Sequence, residues 1–489
     1  MTATLHSRTA CRRSARVRTA FARLVLCVTL LTGACTRGPD FEPPAPPATE
    51  EFRGPMPSGA SVANTEWFDL YQDPVLRDLI ARGLENNRGV REAMARIEEA
   101  RTGLTIANAD RYPRVTAVGA GLYQQAEGVD TVSALDNLRA VVGASYEVDL
   151  WGRVARSNEA ALQGVLATEE AFRTVTIALV AEVAGAYLAL RDFDARIAVA
   201  EQTVETNGAS VALMTSRAEG GLVADVDVRR AEINLADSEA VLIALERART
   251  QTENVLSLLV GELPSGIARG LPLAEQAFPP AVPPGLPSEL LQRRPDILGA
   301  ERALHAQTAR IGIAEASRFP SLSLTGNAGA KRTTLGDAVS ANLFFNLGAN
   351  LVAPIFNSGA LKAAADAERA RTLQALNQYE QTVLNAFREV EDALVAVDTY
   401  RLEQEARARQ LEASRLALSS VQSLYDGGLV SYQEVIDLQR GVFGSELRVS
   451  EALQLHHAAI VQLYRALGGG WTPPEGWESL ASADAESEQ

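Results

Sequence analysis

The sequence of 489 residues contains one long internal repeat. When the chain is shifted by 207 residues, its two halves align from about residue 84 to about residue 260, with one small slip near Trp151 and Phe356. The clearest matches are Arg111-Tyr112-Pro113 with Arg318-Phe319-Pro320, Gly220-Gly221-Leu222-Val223 with Gly427-Gly428-Leu429-Val430, and Glu182-Val183 with Glu389-Val390. A period this long excludes a solenoid, whose units span about 20–50 residues. The repeat predicts two copies of one supersecondary unit related by pseudo-symmetry.

The N-terminus has the features of an export signal. Residues 1–23 contain six arginines and no acid, and an apolar run from Phe21 to Leu31 follows. That run is too short to span a bilayer. It ends in Leu31-Thr32-Gly33-Ala34-Cys35, which resembles a bacterial lipobox. We therefore expect removal of residues 1–34 and lipidation of Cys35, with cleavage and no lipid as the alternative.

Cysteine content and charge narrow the function further. Removal of the signal takes Cys11 and Cys27 with it, and a chain with one cysteine has neither an intrachain disulfide nor a cysteine metal site. The formal net charge is −15, and the signal carries only basic charge, so the mature chain is more acidic still. Such a chain repels nucleic acid. It could favour cationic cargo, whereas a solvated acidic surface is the simpler explanation for most of these charges.

Helical patterning dominates the chain. It predicts helices over about 75–110, 152–218, 222–262, 359–425 and 429–467. The first has an apolar stripe of Leu76, Leu79, Ile80, Leu84, Val90, Met94 and Ile97. A helix of ~65 residues would reach about 100 Å, which favours coiled-coil packing over a globular core. Alanines in the second helix permit close approach of a neighbour: Ala178, Ala181, Ala184, Ala186 and Ala189.

Short alternating segments lie between these helices. They predict strands at about 115–123, 138–149, 321–330 and 343–353, paired as hairpins with polar loops at about 124–137 and 331–342. Each run has about the length of a transmembrane strand. A half-buried strand in a soluble sheet is the alternative. The small hydrophilic residues on one face favour a membrane strand beside a water-filled lumen.

Four strands cannot close a barrel, and an open sheet edge in lipid leaves backbone groups unpaired. If the strands span a membrane, they must therefore be pooled between subunits. This argument requires an oligomer and leaves its number open.

Several motifs, taken in order, resemble one known family. They are Cys35 with Gly38-Pro39-Asp40-Phe41, Trp67-Phe68 with Asp73-Pro74, Tyr146-Glu147-Val148-Asp149-Leu150-Trp151-Gly152-Arg153, Gly285-Leu286-Pro287-Ser288-Glu289-Leu290-Leu291 with Arg293-Arg294-Pro295-Asp296-Ile297, and Ala466-Leu467-Gly468-Gly469-Gly470-Trp471. In this order, on the repeat, the chain resembles an outer-membrane factor of the TolC/OprM type, in its NodT-like lipoprotein branch.

The resemblance implies a fold that is mainly α with a membrane β part. Three subunits would form a homotrimer with a shared 12-stranded β-barrel in the outer membrane, continuous with a long periplasmic α-helical barrel. It divides the chain into a signal at 1–34, a lipidated N-terminus and spacer at 35–73, a first repeat at 74–262, a linker at 263–285, a second repeat at 286–467 and a C-terminal belt segment with an acidic tail at 468–489.

The function implied by the resemblance is the exit duct of a tripartite efflux pump of the RND type. The duct would passively export small molecules such as drugs or toxic compounds. Its partners would be a periplasmic adaptor (membrane fusion protein), an inner-membrane transporter and outer-membrane lipid. No nucleic acid, metal or cofactor is expected, apart from the covalent lipid on Cys35.

The periplasmic tip is expected at the two matched helix–helix turns, which contain Gly220, Gly221, Gly427 and Gly428. A glycine there supplies the positive φ that ends one helix before the next begins. The resemblance assigns the ring around the closed aperture to Asp437 and its apolar position to Gln433, where the family usually has Leu. Arg440 could form pairs that lock the gate. The simpler alternative is an ordinary i,i+3 pair of Asp437 with Arg440.

Asp225 and Asp227, after the first turn, could add charge to the tip or contact the adaptor. An enzyme is not expected, because the chain has no phosphate-binding loop, nucleophile elbow or zinc-spaced histidine pair. The other functions left open are an outlet for type I protein secretion and a periplasmic coiled-coil scaffold. A scaffold would have no use for the hairpins.

Overall fold

The computed structural model describes residues 36–45, 52, 72–127, 132–277, 287–335 and 338–469. The predicted signal, Cys35, the Trp67-Phe68 motif and most of the C-terminal segment lie outside the described residues. The chain divides into two compact units. One comprises Met1–Pro44, Glu98–Ala167 and Glu301–Gln378, and the other comprises Ala45–Ile97, Thr168–Ala300 and Tyr379–Gln489.

The described elements follow one another in two similar series. The first series is α1 (Pro74–Asn86), α2 (Arg88–Ala109), β1 (Arg114–Glu127), β2 (Val132–Val148), α3 (Arg153–Glu219) and α4 (Asp225–Leu259). A short 3-10 turn, Leu273–Glu275, follows. The second series is α5 (Pro287–Arg293), α6 (Pro295–Ala316), β3 (Ser321–Leu335), β4 (Ala338–Val352), α7 (Ala360–Asp426) and α8 (Tyr432–Ala466).

The long helices have the same lengths in the two series. α3 and α7 each contain 67 residues, and α4 and α8 each contain 35. A helix of 67 residues extends for about 100 Å, as the proline-free patterning predicted. The connection from strand to long helix is longer in the second series, because β4 ends at Val352 and α7 begins at Ala360. This is the slip in the alignment.

The predicted helix over 75–110 is wrong in one respect, because it is broken at Asn87. The Asn87 side chain accepts from the amides of Gly89 at 2.8 Å and Val90 at 3.2 Å, so it caps α2 and competes with helix continuation. The second series breaks at the matching position, Arg294, which precedes Pro295 and is therefore disfavoured in a helix.

Each break residue also contacts the last helix of its own series. Asn87 Nδ2 donates to the carbonyl of Leu259 at 2.8 Å, and Arg294 Nη1 donates to the carbonyl of Ala466 at 2.9 Å. Leu259 and Ala466 are the last residues of α4 and α8, whose terminal carbonyls have no partner within the helix. Different side chains thus make the same connection, 172 residues along the chain in each case.

The largest core cluster surrounds α1, α2 and α3. Of the predicted stripe, the residues that are nearly or fully buried are Leu76, Leu79, Ile80, Val90 and Ile97. They pack with Val183, Tyr187 and Leu188 of α3. Met94 is an exception, since it is 43% exposed. Among the described residues, α3 alone is long and apolar enough to cross a membrane by composition, but its apolar window is largely buried, as in a packed core helix.

The four strands form one antiparallel sheet in the order β1-β2-β3-β4. The strands are longer than predicted, so the predicted loops at 124–137 and 331–342 are mostly strand. Strands pair through backbone hydrogen bonds, so pairing continues beyond the residues in which apolar and polar side chains alternate. β1 and β4 are paired on one side only within the described chain.

Asp73, directly before α1, is completely buried and fastens the segment around residues 270–276 to the helices. Its Oδ1 accepts from the amide of Val75 at 2.9 Å. Its Oδ2 accepts from Tyr187 Oη at 2.9 Å, the Leu271 amide at 2.9 Å and Gln276 Nε2 at 2.8 Å. Burial by itself raises the pKa of Asp73, but these hydrogen bonds outweigh it and leave the pKa lowered.

We expect Asp73→Ala to lower the free energy of unfolding by about 2–4 kcal/mol, because it removes a helix cap and leaves buried donors unpaired. Asp78→Ala is the control, since its exposed i,i+4 pair with Arg82 contributes little. Thermal unfolding in detergent measures both. Equal melting temperatures for the two variants would contradict this role.

The pH dependence has a defined sign. A carboxylate with a lowered folded-state pKa stabilises the fold above its unfolded pKa of about 3.9, and this contribution disappears as the pH falls through the folded value. Wild type should therefore lose more stability below pH ~4 than Asp73→Asn does.

Candidate functional site: the helix–helix turns and the sheet

The two turns between long helices have the same geometry. Gly221 and Gly428 have φ of 73° and 75°, whereas Gly220 and Gly427 are not in this region. In each turn, the amide three residues past the end of the first helix donates to a carbonyl of that helix: Leu222 to Arg217 at 2.8 Å and Leu429 to Leu424 at 2.9 Å. The second glycine of each pair therefore ends its helix by the left-handed cap that the sequence predicts.

The two turns share one small core. Met214 of α3, Val228 of α4 and Ile436 of α8 are buried in one cluster, with Tyr425 of α7 packed against it. The rings of Tyr425 and Tyr432 lie 5.5 Å apart. The ends of all four long helices thus meet, which brings together candidate residues about 200 positions apart in sequence.

Asp437 and Arg440 do not pair with each other. Asp437 Oδ1 accepts instead from Gln433 Nε2 at 2.8 Å on the same face of α8. Arg440 reaches across to α4, where Nε donates to Asn234 Oδ1 and Nη2 donates to Asp237 Oδ2, both at 2.9 Å. The i,i+3 alternative is therefore wrong for this subunit, and Asp437 remains exposed without a cation partner among the described residues.

A buried polar cluster lies behind Arg440. Asn234 Nδ2 donates to Asn207 Oδ1 at 3.0 Å, and Asn207 Nδ2 donates to Ser238 Oγ at 3.1 Å. The three residues are 2–6% exposed. Arg440 thus connects α8 to a fixed network joining α3 and α4; we name Arg440, Asn234 and Asp237 the α4–α8 tie. The sequence analysis missed Asn207, Asn234, Asp237 and Ser238.

Asp225 and Asp227 have nearby cations on their own helix. Arg229 Nε lies 3.5 Å from Asp225, and Arg230 Nη1 lies 3.2 Å from Asp227. Asp225 is the more exposed acid. Local pairing therefore reduces the field of these two acids, whereas Asp437 has no cation partner among the described residues.

The sheet has one apolar and one polar face. Residues in register share a face, and successive residues alternate. The apolar face of β4 is widely exposed in the subunit, with Leu343 at 88%, Phe345 at 80% and Leu347 at 84%. The opposite face of β3 and β4 carries small polar pairs, including Asn327 with Asn346, whose side chains lie 3.0 Å apart. A sheet with this pattern suits lipid on one side and water on the other.

The segment after residue 35 is fixed beside the sheet. The amide of Arg37 donates to the Trp151 carbonyl at 3.0 Å, and its guanidinium lies 4.5 Å from the Phe319 ring centroid. Phe41 stacks on His305 at 4.3 Å, and Asp40 pairs with Arg156. The described chain therefore begins next to the junction where β2 passes into α3.

No group of three or more histidine, cysteine or acidic residues that could hold a metal ion occurs in the described ranges. His456 and His457 are both buried in α8. Burial lowers the pKa of His457 to about 4, so this side chain is neutral at physiological pH. These histidines belong to the helix packing.

Comparisons with known proteins agree on one family. Residues 79–262 and 286–469 each match the sequence profile described as outer membrane efflux protein. The chain is 36% identical over 465 residues to outer membrane protein OprJ of Pseudomonas aeruginosa, covering 92% of this chain and 96% of that protein. It is 32% identical over 458 residues to cation efflux system protein CusC of Escherichia coli O157:H7, covering 92% and 98%.

A solved structure is similar over nearly the same length. The open-state MtrE outer membrane channel of Neisseria gonorrhoeae superposes with a TM-score of 0.80 at 31% identity, covering 89% of this chain and 98% of that one.

The glycine pairs give a direct test of the turns. We expect Gly221→Ala and Gly428→Ala each to destabilise the protein by about 1 kcal/mol, because a Cβ is strained at positive φ although nothing lies within 4 Å of it. Gly220→Ala and Gly427→Ala are matched controls and should be neutral or slightly stabilising. Limited proteolysis at the turns reports the difference. Equal cleavage of all four variants would contradict the geometry.

Proposed function

The chain belongs to the outer membrane efflux protein family, and from that membership we propose that it is the exit duct of a tripartite efflux pump of the RND type. Three copies form a channel that passively exports small molecules and opens at its periplasmic tip. A periplasmic adaptor and an inner-membrane transporter complete the pump. The observation that carries the proposal is the open sheet with one apolar and one polar face.

The sheet edges support the trimer. β1 and β4 each leave one row of backbone groups unpaired within the described chain. Such an edge is untenable in lipid, where no water replaces the missing partner. Antiparallel pairing of β4 with β1 of the next subunit removes every edge once a ring closes. Three subunits give 12 strands, a barrel wide enough for an aqueous lumen.

The position of the N-terminal segment supports a lipid anchor. The contacts of Arg37, Asp40 and Phe41 hold residue 36 near the junction of the sheet and α3. If α3 extends from the sheet into the periplasm, as the proposed duct requires, that junction lies at the periplasmic surface of the membrane. An acyl chain on Cys35 would therefore start at the depth where it can enter the inner leaflet.

The tip supports gating by charge. In a trimer, one Asp437 from each subunit would surround the axis, and a ring of carboxylates in a narrow aqueous passage attracts cations and excludes anions. The α4–α8 tie would hold the hairpin that carries Asp437 against its neighbour. Gln433 is polar and hydrogen-bonded to Asp437, so the aperture of this protein is a polar one.

The cargo does not follow from similarity. CusC is named for cation efflux, and OprJ has no substrate in its name. No observation favours either alternative function. A periplasmic scaffold would not need the exposed apolar face of the sheet. An outlet for type I secretion is not favoured, because the relatives named for efflux match over almost their full lengths. The proposal therefore assigns selection of cargo to the transporter.

Channel recordings in planar bilayers test the duct and its gate. Asp437→Asn should reduce the preference for cations several-fold, and Arg440→Ala should raise the open conductance because α8 loses its connection to α4. Glu451→Gln, an exposed acid on the same helix, is the control and should leave both quantities unchanged. The preference for cations should weaken at high salt.

Three outcomes would contradict parts of this proposal. A normal pore that ignores Asp437→Asn but responds to Asp225→Asn would move the aperture to the first turn. A normal pore that ignores both would remove the charge gate. No conductance from a protein that stays monomeric without detergent would refute the duct.

Lipidation is tested by metabolic labelling with a radioactive fatty acid. Wild type should take up the label and Cys35→Ser should not, since it removes the acceptor thiol. Sucrose-gradient fractionation should still place the variant in the outer membrane, because the barrel spans the bilayer by itself. Equal labelling of both proteins would refute acylation at Cys35.

A further inference from the structure

The polar face of the sheet carries two cations directly opposite each other. Arg139 of β2 is in register with Lys331 of β3. Arg139 also faces Ala120 of β1, and Lys331 faces Asn342 of β4, so the row contains no acid. Both cations are exposed, and neither has an acidic partner in the part of the chain that the structure describes. We name this pair the luminal cation row.

This arrangement is unfavourable for folding. Like charges directly opposite on neighbouring strands repel, whereas an acid at either position would stabilise the sheet. The acid farther along the same face, Glu147, is already held by Arg153 through two hydrogen bonds of 2.9 Å. A locally unfavourable choice without a compensating contact marks a position at which function decides the residue.

An apolar row lies beside the cations on the same polar face. Val118, Val141, Gly329 and Phe344 are in register across the four strands, two positions from Arg139 and Lys331. Gly329 has no room for a side chain, because a Cβ there would lie 2.3 Å from the carbonyl oxygen of Ala140. Phe344 is 37% exposed, against 80% for Phe345 on the outer face.

From this juxtaposition, we propose that the barrel lumen contains a binding region for organic anions with an apolar body. Sulfonates and carboxylates on aromatic rings belong to this class. The inference rests on the proposed trimer, in which two cations from each subunit surround the lumen. The anionic group binds between Arg139 and Lys331, and the apolar body lies against Phe344 and the valines.

The cation row and the apolar row would act on different parts of the same ligand. The cations attract the anionic group of a ligand, and the apolar side chains two positions away remove its apolar body from water. The region has the opposite charge preference from the proposed Asp437 ring. Anionic cargo would therefore bind at the luminal cation row, and cationic cargo would be repelled from it.

Block of single channels by added anions tests the region. The probes are a naphthalene disulfonate, which has an apolar body, and inorganic triphosphate, which has none. Both should block wild-type channels from the side of the membrane at which β1 ends and β2 begins. Arg139→Gln with Lys331→Gln should raise the half-blocking concentration of both probes by about tenfold or more. Phe344→Ser should weaken block by the disulfonate only.

Arg332→Gln is the matched control. Arg332 neighbours Lys331 but is in register with Leu138 on the apolar face, so its removal should not change block by either probe. Trimer formation on gels verifies that each variant assembles. Unchanged block in the double Gln variant would overturn the inference while leaving the duct intact. Absence of channel activity in the wild-type protein would instead refute the proposed function.

Discussion

The structure depends on one constraint: in a membrane, every backbone amide and carbonyl of a strand needs a partner. The four strands satisfy one another in the middle of the sheet and leave β1 and β4 incomplete. In the proposed trimer, closure with other subunits would supply the missing partners, and the repeat supplies strands as two hairpins per chain. The exposed apolar face of β4 would then meet lipid, and the small polar residues of the opposite face would meet water.

Much of the fold is predictable from local patterns, because a proline-free stretch with one apolar stripe has few alternatives. The strand ends are less predictable, since backbone pairing continues where alternation fades, as between 124 and 127. The helix break illustrates the same limit. In the second half, Pro295 predicts the break from sequence alone. In the first half, the break depends on Asn87, whose capping role is apparent only from its hydrogen bonds in the structure.

The tip was predictable where backbone conformation decides and not where distant side chains meet. The paired glycines alone locate the turns. Spacing rules suggest that Arg440 pairs with Asp437, but its partners Asn234 and Asp237 lie more than 200 residues away. A usable signal was present in the repeat. Asn234 and Asp237 correspond to Gly441 and Gly444, which have no side chain to make the matching contact in the second half.

This difference limits the symmetry of any movement at the tip. Arg440 corresponds to Ile233, so the α4–α8 tie has no counterpart with the two hairpins exchanged. The proposed ring of three subunits would contain six helical hairpins of nearly equal length, of which only alternate ones carry the arginine. In the proposed trimer, the aperture would therefore widen with threefold rather than sixfold symmetry.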